Sequence, residues 1–302
     1  ELQAMRRVEV RPEIEPKTVA ILGAHGGMGR LFTRLFEELG HTVLAVDVDT
    51  ALRAEDAAAR ADVVVVSVPI RLTEETIRDI GPAVRDDALL LDLTSLKSEP
   101  VAWMLEATRA SVVGTHPMFG PGVHNFQGQR VVLCRGRGDA WFEWARTTFE
   151  AVGLAVTEAD AARHDRAMAL VQVLTHYQTQ VLGLTLARFG VSIDEPLAFT
   201  SPAYLLELYV TARHFAQAAS LYGPIEMNNP ETAKVTATFA AAAQEIAGIL
   251  ARQDQPAFDR LFEEVSGFFG DFTKEALDQS GFLIDRLVEL TTGRTARTEP
   301  QE

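Results

Sequence analysis

The chain has 302 residues, 47% of them hydrophobic and 23% charged, and 28 Lys and Arg stand against 42 Asp and Glu for a net charge of −14. That balance fits a globular chain of about two domains and excludes a mainly disordered or collagen-like one. A surface this negative repels phosphate backbones and anionic lipid, so no nucleic-acid or membrane partner is expected.

Residues 1–17 are polar, with Pro12 and Pro16, and read as a flexible arm with no apolar signal core. Short apolar runs then recur: Val19–Leu22, Val43–Val46, Val63–Val68, Leu89–Leu91, Val112–Val113 and Val131–Leu133. Strands apolar on both faces belong in a parallel sheet covered by helices, so residues 18–157 read as a Rossmann-like α/β domain. No run approaches the roughly 18 residues a membrane span needs. From 158 to 290 the texture turns helical, over about 159–189, 201–219, 231–253 and 256–280, and reads as a separate all-helical domain. Residues 291–302 read as a polar tail. The single cysteine, Cys134, gives no intrachain disulfide and reads as a small buried apolar residue. A cytoplasmic location follows as the expectation.

Gly23, Gly26, Gly27, Met28 and Gly29 lie between the first strand and a helix. Glycines there allow a tight turn and bring backbone N–H groups close to a pyrophosphate, and the helix N-terminus adds favourable potential. The spacing is Gly23-x-x-Gly26-x-x-Gly29, a variant of the usual fingerprint. Asp47 ends the next strand near the roughly 20-residue spacing of a ribose-binding carboxylate, with Asp49 as a rival. An acid there favours NAD over NADP, because a 2′-phosphate would be repelled. Val68-Pro69, Asp92–Ser95 and Gly114–Pro117 also follow apolar strands, where the ligand crevice of a parallel sheet lies.

Seven histidines are present. His116 stands out in Gly114-Thr115-His116-Pro117-Met118-Phe119-Gly120-Pro121, after a strand and in a stiff loop. A neutral imidazole there can act as a general base near pH 7, with Ser95 on the neighbouring strand end to orient it. His176 lies mid-helix in Thr175-His176-Tyr177. No His-Glu-x-x-His or Cys-x-x-Cys spacing points to a metal, and no Gly-x-Ser-x-Gly elbow to a hydrolase.

Gly26-x-Met28-Gly29, Val66–Ile70, Asp92-Leu93-x-Ser95-x-Lys97, His116–Pro121 and His164-Asp165-x-x-Met168-Ala169 together resemble the prephenate dehydrogenase family over about residues 18–285. The resemblance implies NAD-dependent oxidation of a prephenate-type cyclohexadiene with loss of its ring carboxylate as carbon dioxide. It gives His116 the role of base toward the 4-hydroxyl, pairs Ser95 with that histidine, and places His176 in the substrate pocket. It also implies a homodimer formed through the helical domain.

One segment departs from the family pattern. Where that pattern has Pro-x-Tyr-Arg-Leu-Glu-Leu, this chain has Pro202-Ala203-Tyr204-Leu205-Leu206-Glu207-Leu208, and Thr175 precedes the pocket histidine where close relatives carry arginine. An Arg–carboxylate pair is bidentate and directional, so the dicarboxylate must be held differently, with Arg213 and Arg166 as candidate cations. The favoured substrate is 4-amino-4-deoxyprephenate, giving 4-aminophenylpyruvate, on a route to antibiotic-type natural products. Prephenate or arogenate is the alternative, and a non-catalytic nucleotide sensor is the reading from another class. A β-hydroxyacid dehydrogenase would need a lysine on the first long helix of the second domain. The lysines after 157 are Lys234 and Lys274, neither of them there.

Overall fold

The apolar runs become strands of one sheet, and the pleat sends alternate residues of each strand to opposite faces. The structure, a computed structural model, describes residues 14–295. Most of the expected arm, residues 1–13, and the end of the expected tail, 296–302, lie outside the described residues. The first unit runs in the order β1 (Thr18–Leu22), α1 (Gly27–Glu38), β2 (Thr42–Val46), α2 (Ala54–Arg60), β3 (Val63–Val66), α3 (Ile70–Ile80), β4 (Leu89–Asp92) and α4 (Ser98–Ala107). It continues with β5 (Ser111–Pro117), β6 (Arg130–Arg137), α5 (Asp139–Ala151), β7 (Ala155–Ala159) and α6 (Ala161–Met168).

The sheet has seven strands in the order β2-β1-β3-β4-β5-β6-β7. Val19, Ile21, Val63, Val65, Leu89 and Leu91 face one buried layer, closed by α1 and α5 through Phe32, Phe36, Phe142 and Phe149. Ala20, Leu22, Val64, Val66 and Leu90 face the other, closed by α2, α3 and α4 through Ala57, Ile77 and Met104. Two details differ from the all-parallel expectation. β6 runs antiparallel to β5. The two are joined by a loop with no crossover helix, and a parallel pair would need one. β7, beyond the last predicted run, pairs parallel with β6 at the sheet edge. Its residues are half-buried or exposed and none is fully buried, so it carries no continuous apolar run.

The chain divides into two compact units, the first running through Ala169 and including Gly223–Glu231, the second comprising Leu170–Tyr222 and the chain from Thr232. A π-helical stretch, Ala169–Leu174, follows α6. Then come α7 (Thr175–Arg188), α8 (Asp194–Ala198), α9 (Pro202–Phe215), α10 (Ala219–Met227), α11 (Thr232–Arg252), α12 (Gln255–Phe269) and α13 (Phe272–Thr295). The helix expected over 256–280 is two helices. Gly270 breaks it with φ +54, a conformation that glycine takes without the cost a Cβ brings. The helix expected over 201–219 ends at Phe215, and α13 continues into the stretch read as tail. Among the described residues, no helix is long and apolar enough to cross a membrane.

Candidate active site

The strand order reverses around β1, which has β2 on one side and β3 on the other. Ligands of open α/β sheets bind in the crevice beyond the strand ends at such a switch point. The glycine loop sits there. Gly23 has φ +85, and a Cβ on it would meet the Ser67 carbonyl oxygen at 2.5 Å, so the ends of β1 and β3 touch through backbone. A Cβ on Gly29 would run into the Gly23 carbonyl, which fixes how closely α1 folds onto the loop. The first turn of α1, with Gly27, Met28 and Gly29, has no side-chain cap and no acid. Its N–H groups are left for an anion.

A cavity of about 660 Å³ opens beside this loop, lined by Gly23, Gly26, Asp47, Ser67, Val68 and Pro69 among others. The Asp47 carboxylate accepts from the N–H of His25 at 2.8 Å and from its neighbour Val48 at 2.8 Å. A carboxylate oxygen has a second lone-pair site, so Asp47 retains capacity for a diol. Ser67 Oγ is buried with no hydrogen-bond partner. An unsatisfied hydroxyl, a carboxylate with spare acceptors and a helix N-terminus around one cavity fit a dinucleotide. Asp49, the rival for the ribose, instead meets His25 Nδ1 at 2.8 Å. His25, Asp47 and Asp49 bring their ligand atoms within 4.8 Å of one another. The His25–Asp49 pair and the backbone donors on Asp47 account for that exposed grouping.

His116 lies at the C-terminal end of β5 and is buried. Its Nδ1 is 2.8 Å from Nε2 of His164 on α6. His164 Nδ1 is in turn 2.8 Å from Asp165 Oδ1. The N–H groups of Lys97 and Ser98 donate to the two oxygens of Asp165 at 2.9 Å each, and Asn229 Nδ2 donates to its carbonyl at 2.8 Å. Burial works to raise the Asp165 carboxyl, but the hydrogen bonds from His164, Ser98 and Lys97 outweigh it and hold it at about 2. Burial first, and then His164 and Lys97, push His116 well below its ordinary value, with Asp165 opposing. His116 is therefore a neutral imidazole at neutral pH. Ser95 is half-buried in the loop after β4. The hydrogen-bond partner of His116 Nδ1 is His164, whose part in the site the sequence does not announce. The adjacent His164-Asp165 pair was the available signal.

Beneath the site, the Lys97 ammonium meets the Asp92 carboxylate, and both side chains are fully buried. Asp92 also receives the Thr94 hydroxyl and, at 3.2 Å, the Thr115 N–H. A Cβ on Gly114 would meet Lys97 Cδ at 3.1 Å, so this glycine clears the path of the lysine stem. Cys134 is buried near this pair, and burial first pushes its thiol up to about 12.

The residues expected on the substrate side lie in the second unit. His176 on α7 sits edge-on to Tyr222 at 4.8 Å and 5.5 Å from His214, and His214 stacks on Tyr222 at 3.9 Å between centroids. Burial, with help from His214, lowers His176 to about 4. Gln180 Nε2 lies 3.2 Å from His214 Nε2. Thr175 opens α7, its hydroxyl 3.5 Å from the Leu170 carbonyl. Tyr204 and Leu205 are half-buried on α9, and Arg213 is exposed in its last turn. Arg166, the other candidate cation, is exposed on α6 of the first unit.

The sequence profile "Prephenate dehydrogenase, nucleotide-binding domain" matches residues 37–158, and "Prephenate dehydrogenase, dimerization domain" matches residues 160–264. The T-protein of Haemophilus influenzae is 36% identical over 275 residues, 91% of this chain and 73% of that one. The probable arogenate/prephenate dehydrogenase of Methanocaldococcus jannaschii is 32% identical over 90% of this chain and 66% of its own. The 4-amino-4-deoxyprephenate dehydrogenase of Streptomyces pristinaespiralis is 28% identical over 84% of this chain and 92% of its own. The solved prephenate dehydrogenase of A. aeolicus, in complex with hydroxyphenyl propionate and NAD+, shares the fold with a TM-score of 0.69 at 18% identity, over 83% of this chain and 96% of that one. Two domain profiles matched in order, with a relative 36% identical across nine tenths of the chain, establish that this protein belongs to the prephenate dehydrogenase family of NAD-dependent dehydrogenases.

Proposed function

We propose that the chain oxidises a prephenate-type cyclohexadiene and removes its ring carboxylate as carbon dioxide. The observation that carries this reading is the buried imidazole His116, held neutral at the same sheet end as the glycine loop. Gly23, Gly26, Gly27, Met28 and Gly29 hold the pyrophosphate, Asp47 the ribose diol, and Val68 and Pro69 line the crevice. When bound, NAD supplies the hydride acceptor for the ring carbon bearing the 4-substituent. His116 accepts the proton of that substituent, and Ser95 holds the substituent in place. Breaking the bond to the ring carboxylate aromatises the ring. The proton then returns to the product, so His116 lends its lone pair and the overall reaction releases no proton. His176, Tyr204, Thr175, Leu205 and Arg213 shape the substrate side.

Two 4-substituents, an amine and a hydroxyl, are supported by different observations. Leu205 and Thr175, with the Streptomyces relative, favour 4-amino-4-deoxyprephenate in a rebuilt carboxylate pocket. The more similar archaeal relative and a fully built proton acceptor at His116 favour a 4-hydroxyl, as in prephenate or arogenate. An amine can expel hydride with its own lone pair and needs a base less. The deciding experiment is NADH formation by the purified protein with each compound side by side. A tenfold difference in kcat/KM, about 1.4 kcal/mol of transition-state binding, names the substrate. No turnover of any of the three, with NADH still bound, removes the catalytic reading and leaves the nucleotide sensor.

The helical unit is the surface for a homodimer. Support comes from the matched dimerization domain and from Phe189, Phe199, Phe262, Phe268, Leu277 and Phe282, all exposed in that unit. Exposed apolar area on that scale marks an interaction surface. Light scattering at a monomer mass would remove it. The single buried Cys134 supports a cytoplasmic location.

A further inference from the structure

His164 and Asp165 have no role in the reading above, yet both are buried and both lie in a line that ends on His116. Asp165 is held by three donors from Lys97, Ser98 and His164 and is ionised at any working pH. An ionised carboxylate 2.8 Å from His164 Nδ1 requires a proton on that nitrogen. With one proton on the His164 ring, held at Nδ1 by that carboxylate, its Nε2 accepts, and the atom facing it at 2.8 Å is His116 Nδ1. His116 therefore carries its hydrogen on Nδ1, and its Nε2 holds the lone pair.

We propose that Asp165 and His164 are positioning residues that fix His116 in the Nδ1–H tautomer, so that Nε2 receives the proton of the substrate's 4-substituent. The same line gives that proton a second station. When Nε2 gains a proton from the substrate, the Nδ1 proton of His116 passes to His164 Nε2. The positive charge then rests on His164 beside the Asp165 carboxylate, and the reverse transfers return the proton to the product. Among the described residues, the charged and titratable groups that act on His116 are His164 and Asp165 from α6 and Lys97 from the loop ahead of α4. Lys97 opposes a charge on His116, and moving that charge one imidazole farther brings it to the carboxylate. Asn229 and the N-terminal residues of α4 hold Asp165 in place.

This inference rests on the proposed reaction for its kinetic arm, and its spectroscopic arm stands apart from it. Nitrogen-15 NMR of the imidazole rings should show His116 as the Nδ1–H tautomer in the wild-type protein without any ligand. In Asp165→Asn it should become mixed or Nε2–H. A wild-type His116 in the Nε2–H form overturns the proposal whatever the enzyme turns over. Kinetically, His164→Ala and Asp165→Asn should lower kcat about ten- to hundredfold while the affinity for NADH stays within twofold. In Asp165→Asn the acid limb of the kcat/KM profile should move to lower pH, because the carboxylate that raises His116 is gone. His164→Gln returns an acceptor for the Nδ1 proton but no second station, and should recover part of the loss in kcat. Full wild-type kcat in a folded His164→Ala overturns the proposal. So does a uniform loss of activity with an unmoved acid limb and no rescue by glutamine, which is the signature of a purely structural role. Failure of the wild type to turn over any tested cyclohexadiene, with the His116 tautomer as stated, overturns the proposed function and not this arrangement.

Discussion

The Lys97 ammonium is paired with the Asp92 carboxylate in the interior of the sheet, with neither side chain reaching solvent. A buried pair is costly to form but costlier to halve, because the remaining charge stays desolvated. Lys97→Met should therefore destabilise the protein by about 3–5 kcal/mol. The double variant Lys97→Met, Asp92→Asn should recover a large part of that loss, since no lone charge remains. Because Lys97 helps to push His116 down, the acid limb of the pH–rate profile should also move upward in both variants. Chemical denaturation checks the first statement, and a pH series of kcat/KM checks the second.

That pair shows where reading the sequence stops. The core strands were legible because a run such as Val63–Val66 can only be a strand with both faces covered. The glycine loop and Asp47 were legible because their chemistry is local in sequence. β7 was not, since an edge strand with the sequence Ala155–Ala159 buries too little to leave a periodic mark. The pairing of His116 with His164 was not legible either. His164 lies 48 residues on, and nothing local ties a histidine at a helix start to one at a strand end. Arg213 and Arg166 were the cations weighed as compensating for Leu205, while Lys97 proves to be spent on Asp92.

Acid should begin to destabilise the protein before the carboxylate range is reached. Burial lowers His116, His176, His214 and His41 in the folded state, so the unfolded chain binds more protons as pH falls. Their contribution is fully present above the ordinary value of 6.5 and, for His176, is lost as pH falls from 6.5 toward about 4. Asp165, held at about 2 against an ordinary 3.8, adds a further loss only below 3.8. Melting temperature should thus decline between pH 6.5 and 4, and His176→Gln should flatten that slope. Equal slopes in the two proteins would show that His176 titrates as it does in the unfolded chain.

The glycine loop has no room for a methyl group at Gly23, Gly27 or Gly29. At Gly29 the added carbon meets backbone, the Gly23 carbonyl, which cannot yield without moving α1. At Gly27 it meets the Pro121 ring at 2.8 Å, a side chain in the loop that follows His116. Gly29→Ala should cost about 1–3 kcal/mol of stability and weaken NADH binding at least tenfold. Gly27→Ala should leave stability closer to wild type but shift the 118–129 loop, lowering kcat more than NADH affinity. Fluorescence titration of NADH with thermal melts separates the two. Tight NADH binding by Gly29→Ala would mean that the pyrophosphate is not seated on this loop.

The proposed carboxylate pocket, with Leu205 where the resemblance leads one to expect an arginine, can be tested from both sides. Arg213 is exposed on α9 and, among the described residues, forms no ion pair. A charged hydrogen bond to a substrate carboxylate is worth about 1.5–3 kcal/mol. Arg213→Ala should therefore raise KM about ten- to hundredfold with a smaller change in kcat, since a group far from the reacting carbon binds ground and transition states alike. Leu205→Arg returns the family's side chain to α9. If prephenate is held weakly here for want of that arginine, the variant should gain at least tenfold in kcat/KM for prephenate and change little with the amino compound. A loss with both compounds would mean that the site is built around Leu205, its half-buried side chain filling space that an arginine would have to enter. The ratio of the two substrates in the variant, divided by the same ratio in the wild type, reads the specificity carried by position 205 with enzyme concentration and folding yield cancelled.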